Sequence, residues 1–371
     1  MPPRLRVLMI SKACIVGIYQ RKLEYIARED INLNVIVPPY WRDSRGVMPL
    51  ERVYTQGYRL ESLPVRLNGN YHLHYYVGLR RRIRGFRPDI IHIDEEPYNR
   101  ATWQALRNAL NLGGIRTLFF TWQNIERRYP PPFGWGERWV MRSVNYALAG
   151  THSAAEVLRA KGYDGPLRVI PQFGTDVDLF QPAEERPLRP FTIGYVGRLV
   201  EEKGIHHLLE AAARLEGAWA LRVLGGGPLR KSLETQAASL GIRDRVTFDP
   251  QIPSAEVPAY YHQLDALVLP SLTRPNWKEQ FGRVLLEAMA SGVPVIGSDS
   301  GAIPGVMGAA GLVFPEGDIQ ALTEQLRLLR DDPGLYAHLR AAGRAHVLQH
   351  YTHQQIALDT VQVYREMTGL A

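Results

Sequence analysis

The sequence has little cysteine and no long apolar run. Cys14 is the only cysteine among 371 residues, which excludes an intrachain disulfide and a metal site built from several thiolates. No run reaches the roughly 18 apolar residues of a membrane-spanning helix. The opening MPPRLRVLMISKA has only a short apolar stretch, which indicates a first buried strand rather than a signal peptide. These features favour a protein of the reducing cytoplasm.

Length and composition indicate a folded protein with two domains. Hydrophobic residues make up 45% of the chain, which is enough for buried cores. A single core rarely organises 371 residues, so we expect two. The formal net charge of +7 suits nucleic acid, anionic lipid or phosphorylated small molecules as partners. Charge alone does not choose among them, and it also fits a basic surface without function.

Short apolar runs alternate with segments of helical spacing, and this alternation occurs twice. Runs rich in Ile, Leu, Val and Phe are typical of parallel strands buried on both faces. Strand–helix alternation predicts parallel α/β sheets. The predicted strands are residues 5–10, 33–37, 89–93, 117–121 and 146–149, followed by 191–196, 221–224, 246–248, 266–269 and 293–296. The predicted helices are residues 20–29, 71–85, 101–112, 205–215 and 229–240.

A charged, proline-containing segment, QPAEERPLRP at residues 181–190, separates the two sets of strands. Such a segment is typical of a linker. We therefore predict a first Rossmann-like domain at residues 1–184 and a second at 185–350. A C-terminal helix within 351–371 has no strand after it, so we expect it to pack back on the first domain. Ligands of open parallel sheets bind outside the carboxyl ends of the strands, and we expect the functional residues in those loops.

Two loops of the second domain have the residues of a phosphate site. Arg198 follows the strand 191–196, and Lys203 precedes the next helix. Two cations and the free N–H groups of a helix N-terminus can bind a diphosphate, although solvated surface charges give the same pattern. The next strand ends in Gly225, Gly226 and Gly227. These glycines permit close backbone approach to a ligand, or they form an ordinary tight turn.

The segment EQFGRVLLEAMASG that begins at Glu279 is more informative. Gly282 marks a helix start, and Glu287 lies in the second turn among apolar neighbours, which argues against a merely solvated carboxylate. A helix N-terminus favours phosphates, and Glu287 can accept two hydrogen bonds from a ribose diol. Glu279 and the backbone amides of the loop can hold sugar hydroxyls. The candidate donor-binding residues here are Gln280, Phe281, Gly282, Arg283 and Glu287.

This region resembles the retaining glycosyltransferases of family 4, which have the GT-B fold. Their E-x7-E signature matches Glu279 and Glu287, and their diphosphate-binding Arg and Lys match Arg198 and Lys203. The resemblance is specific over residues 145–345. It implies an α/β architecture of two Rossmann-like, doubly wound parallel-sheet domains with the active site in the cleft between them.

The resemblance also implies hexose transfer from a UDP-, GDP- or ADP-sugar to a hydroxyl acceptor, with retention of anomeric configuration. The acceptor would be a saccharide, a lipid-linked molecule or a small molecule. Charge developing on the diphosphate would be stabilised by Arg198 and Lys203, and a donor phosphate oxygen would take the acceptor's proton. Backbone groups near residues 250–253, including Ile252, would bind the base. The sequence has no Asp-x-Asp motif in a suitable loop, so we expect no metal and no other cofactor.

The N-terminal half matches the family less closely. His92, in HIDEEP, corresponds to the first His of the family's H-x-H pattern, and Asp94 replaces the second. His92 is either a hydroxyl-contacting catalytic residue or a satisfied core residue. After the strand 117–121, Gln123 and Asn124 stand where the family often has a His, and together with Asp94 they form the expected acceptor side. Gly17 is matched to the family's donor-phosphate loop, or it is an ordinary turn.

Other functions remain open at the level of sequence. A sugar-nucleotide epimerase would share the fold, and so would a phosphorylase, although no pyridoxal phosphate lysine is identifiable. A non-catalytic scaffold that binds sugar nucleotides is opposed by the intact Glu279, Arg198 and Lys203. We expect no nucleic-acid partner, because no basic-aromatic motif of a known module is present.

A basic cluster precedes the strand 89–93. It follows the aromatic and apolar segment 71–79 and contains Arg80, Arg81, Arg82, Arg84 and Arg87. A helix of this character suits peripheral contact with an anionic membrane, here the inner face. Alternatively, the arginines form a solvated helix face or pair with Glu95 and Glu96.

Overall fold

The computed structural model describes residues 4–43, 46–183, 189–253 and 256–370. The chain divides into two compact units. Unit 1 comprises Met1–Gly174 with His353–Ala371, and unit 2 comprises Thr175–Thr352. Each unit is built on a parallel sheet, which confirms the predicted class of two Rossmann-like domains. The predicted boundary between residues 184 and 185 lies outside the described residues.

Unit 1 contains one large sheet, and all of its described strand pairs are parallel. The strands of the unit are β1 (Leu5–Ile10), β2 (Ile31–Val37), β3 (Tyr40–Asp43), β4 (Gly46–Pro49), β5 (Arg59–Ser62), β6 (Val65–Arg66), β7 (Tyr75–Tyr76), β8 (Ile90–Ile93), β9 (Arg116–Thr121), β10 (Tyr146–Ala149) and β11 (Leu167–Val169). The large sheet has the order β11-β10-β9-β8-β1-β2-β5, while β3–β4 and β6–β7 form small antiparallel pairs.

Helices cover both faces of the unit 1 sheet. They are α1 (Arg21–Arg28), α2 (Leu79–Phe86), α3 (Arg100–Leu112), α4 (Phe133–Ser143), α5 (His152–Ala160) and the C-terminal helix (His353–Thr368). Alternate residues of β1 point to opposite faces. Val7 and Met9 share a core with α1 and the C-terminal helix, while Leu8 and Ile10 share one with α2 and α3. The C-terminal helix is therefore an integral part of the unit 1 core.

The predicted helix 71–85 is wrong in its first half. Residues Tyr75 and Tyr76 form β7, which pairs with β6, and the helix begins only at Leu79. The amide side chain of Gln104 accepts from the Tyr76 N–H at 2.9 Å and donates to the Tyr76 carbonyl at 2.7 Å. Gly78 precedes the helix with φ of 81°, a left-handed conformation that a right-handed helix cannot continue. Tertiary hydrogen bonds thus override the helical spacing of these residues.

Unit 2 also has a parallel sheet with helices on both faces. Its strands are β12 (Phe191–Val196), β13 (Trp219–Leu224), β14 (Val246–Asp249), β15 (Ala266–Leu269), β16 (Val295–Ser298) and β17 (Leu312–Phe314). Its helices are α6 (Ile205–Ala213), α7 (Arg230–Ser239), α8 (Val257–Tyr261), α9 (Arg283–Ala290), α10 (Ile303–Met307), α11 (Ile319–Asp331) and α12 (Pro333–His350).

The order of strands identifies one crevice in each sheet. In unit 2 the order is β14-β13-β12-β15-β16-β17. Strands β12 to β14 are added towards one edge of the sheet and β15 to β17 towards the other, so the direction reverses at the β12–β15 pair. In unit 1 the direction reverses at the β1–β8 pair. Such switch points open a crevice at the carboxyl ends of the two strands, where ligands of doubly wound sheets bind. Within the ranges described, no helix is long and apolar enough to span a bilayer.

Candidate active site

Lys203 and Glu279, two predicted site residues, meet at the β12–β15 crevice. Lys203 ends a short 3-10 turn, Glu201–Lys203, in the loop after β12, and Glu279 lies in the loop after β15. Lys203 Nζ donates to Glu279 Oε2, and the two side chains are only 15% and 11% exposed. The Leu272 amide donates to the Glu202 carbonyl at 2.8 Å, which joins the two loops. Since desolvating two charges is costly, such a pair needs additional polar contacts.

Serine hydroxyls supply those contacts. Ser271 is fully buried, and its Oγ donates to Glu279 Oε2 at 3.0 Å. Ser298 Oγ in turn donates to the Ser271 carbonyl at 2.6 Å. The Ala302 amide donates to the Glu279 carbonyl at 3.0 Å. The Glu279 backbone and one of its carboxylate oxygens are therefore held from both β15 and β16.

An indole ring borders the same ion pair. Lys203 Nζ lies 5.0 Å from the centre of the Trp277 ring, within the range of a cation–π contact. Trp277 closes a short turn, in which its carbonyl accepts from the Arg274 amide at 2.8 Å and its amide donates to the Arg274 carbonyl at 3.1 Å. The ammonium of Lys203 thus contacts both a carboxylate and an aromatic face.

Arg198 presents its guanidinium to solvent at the end of β12. Its side chain is 68% exposed and lies 3.6 Å from Glu202. The Tyr195 hydroxyl donates to the Arg198 carbonyl at 2.8 Å, which fixes the backbone beneath it. An exposed pair of this kind is weak, so the guanidinium can exchange Glu202 for an anionic ligand.

The glycine-rich loop after β13 packs closely on the loop after β12. The Leu199 amide donates to the Gly226 carbonyl at 2.9 Å. A Cβ on Gly225 would lie 2.0 Å from the Gly197 carbonyl oxygen, and one on Gly227 would lie 2.3 Å from that of Leu199. A Cβ on Gly226 would meet nothing within 4 Å. The outer two glycines therefore serve loop packing, while Gly226 leaves an open backbone that a ligand can approach.

Glu287 lies in the second turn of α9, as predicted. Tyr261 Oη donates to its Oε2 at 3.0 Å, and Arg283 Nε lies 3.0 Å from its Oε1. Burial raises the pKa of the Glu287 carboxyl, against the opposing effects of Arg283 and Tyr261. Each carboxylate oxygen has a second lone pair, so the group can still accept hydrogen bonds from a diol.

The other predicted donor residues occupy varied surroundings. Gln280 is exposed, and the Phe281 ring lies 6.0 Å from that of Tyr351. Gly282 precedes α9 with φ of 71°, which only glycine adopts easily. Ile252 is half-buried against the unit 2 core. The structure thus places Phe281 and Gly282 at the start of α9, beside the loop that carries Glu279.

Three consecutive carboxylates join the strand ends of unit 1. Asp94, Glu95 and Glu96 follow β8 and accept hydrogen bonds from the loops after β1 and β9. The bonds run from Ser11 Oγ to Asp94 Oδ2 at 2.6 Å, from Lys12 N to Glu95 Oε1 at 3.1 Å, and from Thr121 Oγ1 to Glu96 Oε2 at 2.6 Å. Burial raises the pKa of Glu96 to about 7. Glu95 and Glu96 are therefore structural links and do not pair with the arginines of α2.

His92 is buried inside unit 1, with 1% of its surface exposed. Its Nδ1 lies 2.7 Å from the hydroxyl oxygen of Tyr364 on the C-terminal helix. Burial lowers the pKa of His92 to about 4, so the ring is neutral at physiological pH. One ring nitrogen thus has a partner in the core, whereas the buried Nε2 has no hydrogen-bond partner among the described residues, so both predicted roles of His92 stay predictions.

Gln123 and Asn124, on the expected acceptor side, are 9% and 6% exposed. Lys161 Nζ donates to Gln123 Oε1 at 2.9 Å and to Glu137 Oε1 at 2.5 Å. Among the described residues, the buried Nε2 of Gln123 has no hydrogen-bond partner. An unpaired buried donor is costly, and a substrate hydroxyl would satisfy this one.

Gly17 does not offer a free amide to a phosphate. Its N–H donates to Glu51 Oε2 at 2.5 Å, and Val53 occupies the space beside its Cα. A carboxylate therefore occupies the position where a donor phosphate was expected. The geometry favours the ordinary turn for this glycine.

Both halves of the chain match glycosyltransferase families. Residues 176–346 match the family described as glycosyl transferases group 1, and residues 21–179 match glycosyltransferase family 4. Together the two matches cover residues 21–346. Each half of the chain therefore matches a model of glycosyltransferases.

A curated relative of the chain is the 2-deoxystreptamine glucosyltransferase of Streptomyces kanamyceticus. It is 32% identical over 224 residues, which make up 55% of this chain and 56% of the relative. The chain thus spans about half the length of the curated relatives it matches.

Two solved structures are similar in fold to the chain. The sucrose-phosphate synthase of Thermosynechococcus elongatus aligns with a TM-score of 0.73 at 22% identity, covering 99% of this chain and 100% of that one. Anabaena HepE, solved in complex with UDP and glucose, aligns with a TM-score of 0.67 at 17% identity, covering 98% of this chain and 100% of that one. At these identities the likeness concerns the fold alone.

Sequence reasoning missed Ser271 and Trp277. Both lie in the loop between β15 and α9. Ser271 contacts Glu279 of the E-x7-E motif, and Trp277 contacts Lys203 in the loop after β12. A serine ahead of a motif gives no sequence signal of its function, whereas a tryptophan among polar residues and prolines does give one. In the part of the chain that the structure describes, no group of three or more His, Cys, Asp or Glu side chains is arranged to hold a metal ion.

Proposed function

We propose that the chain transfers a hexose from a nucleoside-diphosphate sugar to a hydroxyl acceptor, with retention at the anomeric carbon. The observation that carries this proposal is the pairing of Lys203 with Glu279 at the switch point of unit 2. An ammonium and a carboxylate at one crevice suit a donor with an anionic leaving group and a reacting carbon that becomes positive.

The leaving diphosphate gains negative charge as its bond to the sugar breaks. Arg198, with its exposed guanidinium, and Lys203 are the proposed cations, and the open backbone at Gly226 lets the phosphates approach. Stabilisation of developing charge by fixed groups is the largest catalytic effect in many enzymes. We propose that these groups act without a metal or other cofactor, and that a phosphate oxygen receives the acceptor's proton.

Glu279 and Glu287 are proposed to act on different parts of the donor. Glu279 would position the hexose and stabilise positive charge at its reacting carbon, together with the backbone of Gln280, Phe281 and Gly282. Glu287 would accept from the ribose hydroxyls, and the backbone near Ile252 would contact the base.

The acceptor is proposed to bind unit 1 at the ends of β8 and β9. Asp94 has a buried oxygen, Oδ1, and Gln123 has a buried nitrogen, Nε2, that have no hydrogen-bond partner among the described residues. Asn124 adds a polar side chain beside Gln123. Such groups suit a hydroxylated acceptor, which would be a saccharide, a lipid-linked molecule or a small molecule. We propose that the enzyme acts in the cytoplasm, with peripheral contact to the inner face of the membrane through α2.

The experiment is a thermal-shift screen with UDP-, GDP- and ADP-sugars, followed by transfer assays with a panel of hydroxyl acceptors. A donor at 100 times its Kd should stabilise the protein by about 2.7 kcal/mol. The anomeric configuration of the product, read by proton NMR, tests retention. Product of inverted configuration contradicts the mechanism. Interconversion of sugar nucleotides without an acceptor would identify an epimerase, and binding without turnover would identify a scaffold.

A further inference from the structure

Two side chains outside the recognised motif contact the Lys203–Glu279 pair directly. Ser271 Oγ donates to Glu279 Oε2, the same oxygen that accepts from Lys203 Nζ. Lys203 Nζ also lies over the Trp277 ring, 5.0 Å from the ring centre. The ion pair therefore has a hydroxyl donor at its carboxylate and an aromatic face at its ammonium.

We propose that Ser271 and Trp277 are positioning residues, which hold the Lys203–Glu279 pair in the geometry required for donor turnover. The inference rests on the proposed function, because that function gives the pair its task. Neither residue needs to contact the donor, since each acts through the pair.

Ser271 fixes the direction of the carboxylate. Its side chain is fully buried, and Ser298 Oγ donates to its carbonyl at 2.6 Å, so the backbone that carries the hydroxyl is fixed. Hydrogen bonds to ionised carboxylates are stronger than those between neutral groups. Without this bond, Glu279 would keep its electrostatic partner Lys203 but would lose a buried donor at the same oxygen.

Trp277 fixes the ammonium. The two backbone hydrogen bonds between Arg274 and Trp277 hold the ring on a closed turn. The negative face of an aromatic ring attracts a cation, most strongly for Trp and less for Phe. An aliphatic side chain of similar bulk would cover Lys203 without attracting it. The proposal therefore requires a ring at position 277 rather than merely a large side chain.

Matched variants separate positioning from general damage to the fold. Ser271→Ala removes the hydroxyl that binds Glu279. Ser291→Ala is its control, because Ser291 is also buried in unit 2 and its Oγ has no hydrogen-bond partner among the described residues. Trp277→Leu removes the ring, and Trp277→Phe retains one. Thermal unfolding of all four variants verifies that they fold.

The first measurement needs no donor. Trace acetylation with acetic anhydride, followed by peptide mass spectrometry, gives the reactivity of Lys203 relative to the exposed Lys231. We expect Ser271→Ala and Trp277→Leu to raise the relative reactivity of Lys203 several-fold, whereas Trp277→Phe and Ser291→Ala should leave it close to wild type. Unchanged reactivity in both Ser271→Ala and Trp277→Leu overturns the inference.

The second measurement uses the donor identified by the thermal-shift screen. Ser271→Ala and Trp277→Leu should lower kcat by about tenfold, since misplaced catalytic groups chiefly raise the barrier, while the donor KM changes less than kcat. Trp277→Phe should recover most of the activity. A normal kcat in both damaged variants overturns the inference. If no activated sugar binds the wild type, the proposed function fails, while the reactivity of Lys203 still tests whether Ser271 and Trp277 hold the ion pair.

Discussion

Lys203 donates a hydrogen bond to Glu279 in the β12–β15 crevice, so two residues for which the sequence predicts separate tasks form a single ion pair. A lysine that binds only phosphate would lie free in its loop, and this one contacts both a carboxylate and an indole. Each partner limits where the other can lie. The pair should therefore behave as one unit in mutational experiments.

We expect the effects of Lys203→Ala and Glu279→Gln to be strongly non-additive. Each single change should cost about 2–4 kcal/mol in transition-state stabilisation. The double variant should lose less than the sum by at least ~1 kcal/mol, because contacting residues couple. Arg198→Ala combined with Glu279→Gln is the control, and its two effects should add. Additive effects for Lys203 and Glu279 would show that the ion pair has no role in turnover.

Glu287→Gln should raise the donor KM with a smaller change in kcat. A neutral amide is a poorer acceptor for the ribose hydroxyls, and this contact is present in ground state and transition state alike. Glu279→Gln should instead lower kcat. Tyr261→Phe, which removes the hydroxyl that donates to Glu287, should give a weaker change in KM of the same sign. Identical KM-type effects from both glutamine variants would contradict this division of roles.

Sequence patterns predict the sheets well because parallel strands are buried on both faces. Such strands read as uninterrupted apolar runs, and the predicted 5–10, 191–196 and 266–269 coincide with β1, β12 and β15. The helix predicted at 71–85 failed where Gln104 and β6 pair with the backbone of Tyr76. Contacts of that kind join distant segments and leave no local pattern.

The candidate site also has features that the sequence predicts and features that it does not. Glu279, Glu287 and Lys203 are predictable because their spacing is part of a motif. The bond from Ser271 to Glu279 and that from Gly17 to Glu51 depend on how loops fold over one another. For His92 the sequence leaves two roles open, because the end of a strand and the inside of a core have the same apolar surroundings in sequence.

Donor turnover should survive removal of divalent metals. The proposed charge stabilisation comes from Arg198 and Lys203, so activity in excess EDTA should remain within about twofold of the untreated enzyme. The measurement is initial rate after dialysis against EDTA, with and without added Mg²⁺ or Mn²⁺. A strict metal requirement would contradict the proposal that protein cations alone neutralise the diphosphate.

His92 should make unit 1 sensitive to acid. Burial holds its folded-state pKa at about 4, below the ordinary value of 6.5. The stability that depends on its neutral form is complete above pH 6.5 and is lost as pH falls towards 4. By pH 5 the loss should reach about 2 kcal/mol. His92→Asn, which stays neutral, should show a smaller decrease in urea midpoint between pH 7 and pH 5. An equal decrease in wild type and variant would contradict this role.

Glu96 supplies a control of opposite sign. Burial raises its folded-state pKa to about 7, so the stability linked to its protonated form is complete below pH 4.5 and is lost as pH rises through 7. Glu96→Gln should therefore reduce the loss of stability between pH 6 and pH 8, and it should enlarge the loss between pH 7 and pH 5, because the variant no longer gains stability from protonation of Glu96. If Glu96→Gln and His92→Asn changed the loss between pH 7 and pH 5 in the same direction, the assignments would be wrong.

The apolar side of the basic helix α2 is buried, so the helix offers a membrane only its charge. Leu79 and Ile83 are fully buried in the unit 1 core, while Arg80, Arg81 and Arg84 are exposed. Arg82 lies 3.4 Å from Glu61, so its charge is partly neutralised. Membrane contact through α2 would therefore be electrostatic, contributing about 1 kcal/mol for each free arginine near anionic lipid.

Sedimentation with vesicles rich in anionic lipid tests this contact. Wild type should pellet at low salt and be released as salt is raised, because a shorter Debye length screens the attraction. Changing Arg80, Arg81 and Arg84 to Ser should abolish pelleting. Changing the exposed unit 2 residues Arg214, Lys231 and Arg243 to Ser removes the same charge and should leave pelleting intact. Equal loss in both triple variants would mean that net charge, rather than α2, governs binding, and no pelleting of wild type would rule the contact out.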